Sequence, residues 1–437
     1  MPKVPPLPPS PLPVVVGFSA RALAEATAAN THHPIAVDHF ADHDCQQAAH
    51  ASIKLHQWGG YVDSHWHVLS QLKAAGAQPG SPLLLGGGTE NWPELVDLLH
   101  QHFTVLGPNV EQLQQLRSPE YWQACAAAAG VAFPETHWNV AELAKSFGHC
   151  NVAELAESFG RPAGGVRESA EGPAGHIEDW LIKPRRGAGG HAIRRANGLH
   201  TGPSSIENPH YWQRKIAGRS LGVYCVLAAD GQVELLGATE SLSAEQWPGP
   251  SEFIYRGSLG PINLADAQRQ QIMRLCQVIQ TTCHCLGWLQ LDFIEDASGA
   301  LWLLELNPRW AAGMEILFLA GINPVAYHYR AWQRPSNLPL PRSNIATLHR
   351  TDTNFAKSIV YADRELILTP ERIERLQRLP RTAYADLPSH SDLLTESATK
   401  IIASGEPLLT VRASGPIECL LEHMSQLREI ALELCHR

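Results

Sequence analysis

Short apolar runs alternate with amphipathic segments along the N-terminal part of the chain. Val14-Val15-Val16 reads as a buried strand running into Gly17-Phe18-Ser19 and an alanine-rich helix from Ala20 to Ala29, and Ile35-Ala36-Val37-Asp38 reads as a second strand. Pro82-Leu83-Leu84-Leu85 enters Gly86-Gly87-Gly88, and an amphipathic helix from Glu94 to Phe103 follows. Strand, glycine turn and helix repeated in this order predict a small doubly wound parallel sheet. Two more helices are expected at Glu111–Leu116 and Pro119–Ala129.

Farther on the period changes. Trp180–Lys183, Leu221–Leu227 and Val233–Gly237, the last two joined by the Ala229-Asp230-Gly231 turn, predict antiparallel sheet. A helix from about Leu264 to Leu286 leads into strands Gly287–Ile294 and Ala300–Leu306, with a turn at Asp296–Gly299 between them. The C-terminal part mixes strand-like segments, Ser358–Tyr361 and Pro407–Ala413, with a helix starting near Ile417. The fold class expected is therefore α/β and α+β multidomain, with the first hundred or so residues as a small doubly wound domain and an α+β appendix over 331–437 packed on the core.

Composition narrows the function classes. With 437 residues, 44% hydrophobic and 18% charged, the chain has ample material for several cores and is not disordered as a whole. Its formal charge of −9 argues against a nucleic-acid partner, because phosphate binders carry clustered basic excess. No segment has the length of uninterrupted apolar sequence that a membrane span needs, so no membrane partner is expected. Residues 1–13 hold seven prolines and read as an extended, flexible tail instead of a signal peptide. The nine cysteines follow no regular framework, which points to a reducing compartment, the cytoplasm.

Asn139–Gly148 and Asn151–Gly160 match at nine of ten positions, differing only at Lys145 and Glu157, which reads as a surface duplication too short for a solenoid. Residues 161–176 read as a glycine-rich connector. Cys276, Cys283 and Cys285 lack the paired spacing of structural zinc sites and read as core thiols. Asp38, His39, Asp42, His43 and Asp44 follow a strand and read as a substrate-side loop or solvated turn in preference to a metal cluster.

Two segments carry chemistry. Leu181-Ile182-Lys183-Pro184 ends in Arg185-Arg186-Gly187-Ala188-Gly189-Gly190, a strand entering a glycine turn whose N–H groups, with the lysine, suit a triphosphate. Gly187, Gly189 and Ala192 formally satisfy a dinucleotide fingerprint, but a strand follows where that motif needs a helix. The second segment is Leu291-Asp292-Phe293 with Leu304-Glu305-Leu306-Asn307-Pro308-Arg309. On adjacent antiparallel strands Asp292, Glu305 and Asn307 can converge, because residues two apart share a face, and hard oxygen donors of this kind hold Mg²⁺ beside phosphates. A structural ion pair from Arg309 to a carboxylate is the plainer alternative.

A lysine and glycine loop, followed about 110–125 residues later by an acidic strand and Glu-x-Asn-x-Arg, resembles the ATP-grasp ligase superfamily, which includes biotin carboxylase and carbamoyl phosphate synthase. The resemblance implies a pre-ATP-grasp domain over 14–120 and an ATP-grasp domain over 121–330 with its lid around 175–220. It implies that Lys183 contacts nucleotide phosphates under the loop of Gly187, Gly189 and Gly190, and that Asp292, Glu305 and Asn307 bind Mg²⁺. Arg309 would clamp the transferred phosphate or acyl phosphate, Arg117 would be the first nucleotide-contacting basic residue, and Gln213-Arg214-Lys215-Ile216 would be the adenine hinge, with glutamine replacing the usual acid. Gly17–Arg21, Val37–Asp44 and Gly405–Val411 resemble a narrower group of predicted ATP-dependent carboligases that accompany methanopterin and methanofuran cofactor genes, with tyramine–glutamate ligase as a more distant relative.

The resemblance thus implies an ATP- and Mg²⁺-dependent ligase joining a small-molecule carboxylate to an amine through an acyl phosphate, and it allows a homodimer. Carboxylation in the manner of biotin carboxylase and a non-catalytic nucleotide sensor are the alternatives. In biotin carboxylases a polar Gln-Val-Glu stretch follows the asparagine strand, whereas here Arg309 is followed by Trp310-Ala311-Ala312-Gly313-Met314, and no Met-Lys biotin-attachment sequence is present. The intact Lys183, Asp292, Glu305 and Asn307 set speaks against decay to a sensor.

Overall fold

The computed structural model describes residues 11–30, 32–55, 62–146, 177–196, 210–332, 353–390 and 399–436. Most of the proline-rich tail, the second copy of the duplication and the connector at 161–176 lie outside the described residues.

Five strands, β1 (Val14–Gly17), β2 (Ile35–Asp38), β3 (Ala51–Lys54), β4 (Pro82–Leu85) and β5 (Thr104–Leu106), form a parallel sheet in the order β3-β2-β1-β4-β5. The apolar runs of β1, β2 and β4 are buried on both faces, because helices cover both sides of a parallel sheet. Those helices are α1 (Arg21–Asn30), α2 (His43–Ala48), α3 (Val62–Ala74) and α4 (Pro93–His102). The loops leaving β1 and β4 lie against each other at the switch in strand order. A Cβ on Gly86 would stand 3.1 Å from the Gly17 Cα, so only glycine permits this approach.

Next come α5 (Val110–Leu116), α6 (Pro119–Ala129), strand β6 (Thr136–His137) and α7 (Val140–Ser146), which contains part of the first duplicated segment. With β7 (Trp180–Pro184), β8 (Arg194–Arg195) and β9 (His210–Arg214), β6 makes a small antiparallel sheet in the order β6-β9-β7-β8. This sheet carries Lys183, and its first strand is drawn from well upstream of the segment around 175–220.

The largest sheet has eight antiparallel strands in the order β14-β13-β10-β11-β12-β15-β19-β17. They are β10 (Arg219–Leu227), β11 (Val233–Ser241), β12 (Gly257–Gly260), β13 (Gly287–Glu295), β14 (Leu301–Asn307), β15 (Asn354–Tyr361), β17 (Tyr384–Ala385) and β19 (Pro407–Gly415), while β16 (Leu366–Leu368) pairs with β18 (Lys400–Ile402). The C-terminal strands continue the central sheet, because β12 pairs with β15. Glycine makes that seam possible: a Cβ on Gly257 would meet the Lys357 carbonyl oxygen at 2.2 Å.

Helix α8 (Asp266–Cys283) packs with α6 over Leu221, Val223, Leu289 and Leu291, burying Cys276 and Cys283 in the same core. It stops short of the expected Leu286 because His284 turns into the left-handed region, at φ 55°. After β14 come α9 (Met314–Leu319), α10 (Pro324–Trp332) and α11 (Pro370–Gln377). The final helix α12 (Ile417–His436) lays Leu420, Met424 and Leu427 on the core that holds Val360 and Val411.

A buried ionic network joins the parallel sheet's helices to the central sheet. Arg21, at the start of α1, donates to both oxygens of Glu315 at 2.5 and 3.0 Å and to both oxygens of Asp386 at 2.9 and 3.1 Å. Lys357 of β15 reaches Glu315 at 2.7 Å, and Arg412 of β19 pairs with the same carboxylate. Asp44 accepts the amides of Asp386 and Leu387 at 2.8 and 3.0 Å. Asp38 is likewise fully buried and accepts amides from Ala20, Phe40 and Ala41. These two aspartates therefore order backbone, and they do not sit on a solvated turn. No group of three or more His, Cys, Asp or Glu side chains among the described residues has the arrangement of a metal site.

His328 of α10 makes a second tie between the layers. It stacks on Trp288 at 3.7 Å, its Nδ1 accepts the Trp288 amide at 3.0 Å, and its Nε2–H donates to the Leu106 carbonyl of β5 at 2.8 Å. No described helix is long and apolar enough to cross a membrane.

Candidate functional site

The small sheet, the edge of the central sheet and the glycine loop after β4 meet at one charged centre. Alternation along β7 and β9 puts Lys183, opposite Tyr211, on the same face as Gln213. The buried Lys183 ammonium donates to Gln213 Oε1 at 3.0 Å and lies 5.6 Å from the centre of the Tyr211 ring. Gln213 in turn donates to the Thr136 hydroxyl at 3.2 Å. The amide oxygen at position 213 thus receives the ammonium without a carboxylate. Burial lowers the Lys183 pKa, while the nearby Glu305 and Asp292 charges pull the other way.

The glycine loop that follows β7 is docked against residues 253–255. Gly190, at φ +80°, has the Phe253 carbonyl oxygen 1.8 Å from where a Cβ would lie, and the Tyr255 amide donates to the Gly189 carbonyl at 2.9 Å. Gly187 presents its carbonyl to Arg117 at 3.0 Å. Of the hinge residues, Arg214 and Lys215 donate their amides to the carbonyls of Glu135 and Asp179 at 2.8 and 2.6 Å. Ile216 is the next amide along the chain.

On the central sheet Asp292 of β13 lies opposite Glu305 of β14, and Gln290 opposite Asn307. Asn307 Nδ2 donates to Asp292 Oδ2 at 2.9 Å, and Gln290 Nε2 donates to Oδ1 at 2.6 Å. Arg117 pairs with Glu305 and lies 3.3 Å from Asn307 Oδ1. Burial and then the Glu305 charge push the Asp292 carboxyl up to about 7, against the pull of Arg309. Two facing carboxylates and an amide oxygen form a hard oxygen set that fits a divalent ion such as Mg²⁺, whose charge would offset the repulsion between the two acids.

Arg309 is the crossing point. It donates to Asn307 Oδ1 at 3.0 Å, to Gln290 Oε1 at 3.3 Å, and through Nε and Nη2 to Glu90 Oε1 at 3.0 and 2.8 Å. Glu90 follows Gly86-Gly87-Gly88 and is 5% exposed, with Oε2 buried and unpartnered. Burial favours its neutral form, but Arg309 and Arg117 hold its pKa below the usual glutamate value. The ion pair foreseen as the plainer role for Arg309 exists, and its partner comes from the turn after β4.

Arg117, Lys183, Gly187, Asp292, Glu305, Asn307 and Arg309 are thus brought to one centre. Gly189 and Gly190 form the docked turn beside it, Gln213 and Arg214 lie on β9 of the lysine's sheet, and Ile216 follows it. Sequence reading missed Glu90 and Gln290. An acidic residue just past a glycine turn at the end of a core strand was the available signal for Glu90.

Comparison with known proteins agrees with this architecture. The family model for the ATP-grasp domain matches residues 154–313. The fold is similar to the biotin carboxylase domain of 2-oxoglutarate carboxylase from Hydrogenobacter thermophilus, solved with MgADP, ADP and bicarbonate, at 14% identity and a TM-score of 0.63 over 97% of this chain and 90% of that one. It is also similar to carboxyaminoimidazole ribonucleotide synthase from Aspergillus clavatus complexed with ATP, at 14% identity and a TM-score of 0.57 over 98% and 99% of the two chains. Pyruvate carboxylase from Rhizobium etli matches at 17% identity and a TM-score of 0.61 over 96% of this chain and 39% of that one. No curated protein sequence matches the chain. The chain carries an ATP-grasp domain and has the ATP-grasp fold, with a parallel sheet N-terminal to the antiparallel ones.

Proposed function

We propose that this protein is an ATP- and Mg²⁺-dependent ligase that activates a carboxylate as an acyl phosphate and passes the acyl group to an amine. The observation that carries the reading is the convergence of Lys183, Arg117 and Arg309 with Asp292, Glu305 and Asn307 beside a docked glycine loop. Lys183 and Arg117 bind the triphosphate, the loop of Gly187, Gly189 and Gly190 covers it, and the Ile216 amide meets the adenine edge. Asp292, Glu305 and Asn307 would hold Mg²⁺, which would neutralise phosphate charge when bound.

A carboxylate oxygen attacks the γ phosphorus, the bond to the β–γ bridging oxygen breaks, and ADP leaves. Arg309 donates to the oxygens of the transferring group, where charge is redistributed, and Glu90 and Gln290 fix the direction of its guanidinium. The amine then attacks the acyl carbon and phosphate departs with the electron pair, the amine losing a proton. Most of the rate arises from positioning, which a centre of paired charges supports.

Trp310 and Ala311, both buried, follow Arg309 where carboxylation chemistry would need polar groups, which favours amide formation. The narrower reading, a place in C1-cofactor biosynthesis, is carried by the resemblance of Gly17–Arg21, Val37–Asp44 and Gly405–Val411, and the assembly proposed is a homodimer in the cytoplasm. The test is a screen of ADP release over acids and amines, C1-cofactor precursors included, with product mass. ADP release should require an acid and an amine together and ignore bicarbonate and biotin. Bicarbonate-dependent ADP release with labelled carbon in a carboxylated product would overturn the assignment.

A further inference from the structure

Phe18 leaves β1, and His39 and Phe40 leave β2, at the carboxyl edge of the parallel sheet. The Phe18 and His39 rings stack at 4.9 Å and 10°, and Phe40 stands edge-on to both at 5.1 Å. Backbone bonds fix the group: the Phe18 amide donates to the Gly87 carbonyl at 2.8 Å, the His39 amide to the Phe18 carbonyl at 3.3 Å, and His39 Nδ1–H to the Leu55 carbonyl at 3.1 Å. Despite this ordering Phe18 remains 38% exposed, one of the few large apolar side chains among the described residues that do.

Its position gives the exposure meaning. Gly87, which receives the Phe18 amide, also faces Arg309, since a Cβ there would lie 4.0 Å from the Arg309 Nε. Aromatic shelf and transfer arginine therefore flank one glycine loop, at the switch in strand order where open parallel sheets bind ligands. An ordered, partly exposed ring stack gains more from a flat ring laid against it than from an aliphatic body of equal size, and it pays little ordering entropy.

We propose that Phe18, His39 and Phe40 form the shelf for the ring of an aryl-bearing carboxylic acid, the substrate whose carboxylate is phosphorylated beside Arg309. The proposal rests on the ligase reading for the second half of that statement. The acid is chosen over the amine because Arg309, the group adjoining the shelf, acts on the phosphoryl group that the carboxylate receives.

The test measures binding of 3-phenylpropanoate, 3-cyclohexylpropanoate and benzylamine to the full chain by ligand-observed NMR, with mant-ADP affinity followed in parallel. 3-Phenylpropanoate should bind about tenfold tighter than its saturated analogue. F18L, which keeps bulk without the ring, should lose that margin, and F18Y should retain it, with mant-ADP affinity unchanged in both. Equal binding of the two acids, no binding of either, undiminished preference in F18L, or binding of benzylamine alone would each overturn the shelf. Failure of the wild-type chain to bind mant-ADP would overturn the ligase reading instead, and the comparison of the two acids would still decide the shelf.

Discussion

Glu90 Oε1 accepts both Nε and Nη2 of Arg309, at 3.0 and 2.8 Å, across the boundary between the parallel sheet and the central sheet. The pair ties the aim of the arginine to the position of the glycine loop after β4. Glu90→Gln keeps an acceptor but removes the charge. Turnover should fall on the order of 10²-fold while ATP affinity changes little, because the guanidinium would be misdirected without being lost. Steady-state ADP release and nucleotide titration of the same preparation check this, and an unchanged kcat would make the pair purely structural.

Lys183→Ala should weaken ATP binding by about 1.5–3 kcal/mol, the scale of a hydrogen bond to a charged group. The folded state should survive, since burial disfavours this ammonium and the neighbouring Gln213 still has Thr136 as a partner. Fluorescent-nucleotide titration beside a thermal melt separates the two effects. Unaltered affinity in a folded variant would remove Lys183 from the nucleotide site.

Glu305→Gln should reduce turnover far more than ATP binding, because the donor set serves the transferring phosphate. Raising Mg²⁺ should restore part of the rate. Near-normal activity at ordinary Mg²⁺ would show that the β13–β14 carboxylates serve the sheet alone.

His328 provides a pH dependence of known sign. Burial lowers its pKa to about 3 from an ordinary 6.5, and both ring nitrogens are already satisfied in the neutral form. The unfolded chain therefore binds a proton that the folded chain refuses, so this group's stabilisation is present above pH 6.5 and is lost as pH falls toward 3. His328→Gln should flatten that part of the stability profile, as followed by urea unfolding at several pH values. A parallel decline in wild type and variant would exclude His328 as the source.

The convergence on β13 and β14 was legible because strand alternation is local: Asp292, Glu305 and Asn307 needed only two adjacent strands and a short turn. The parallel sheet was legible for a similar reason, since β1, β2 and β4 are apolar runs buried on both faces. What the pattern hid depends on distant partners. β12 reads Gly-Ser-Leu-Gly, poor strand material, and becomes a strand because β11 and β15 supply partners on its two sides. β3 mixes Ala51, Ser52, Ile53 and Lys54 without clear alternation, as suits a half-buried edge. Glu90 was hidden because its partner lies 219 residues away.

The network around Glu315 bears on how the molecule comes apart. Arg21 enters it from α1, Lys357 from β15, Arg412 from β19 and Asp386 from the turn after β17. Peeling away any one of these elements strands opposite charges in an apolar interior, a larger penalty than the contacts of that element alone would impose. Partial opening should thereby be suppressed, and the N-terminal and C-terminal regions should melt in a single cooperative transition despite their separation in sequence.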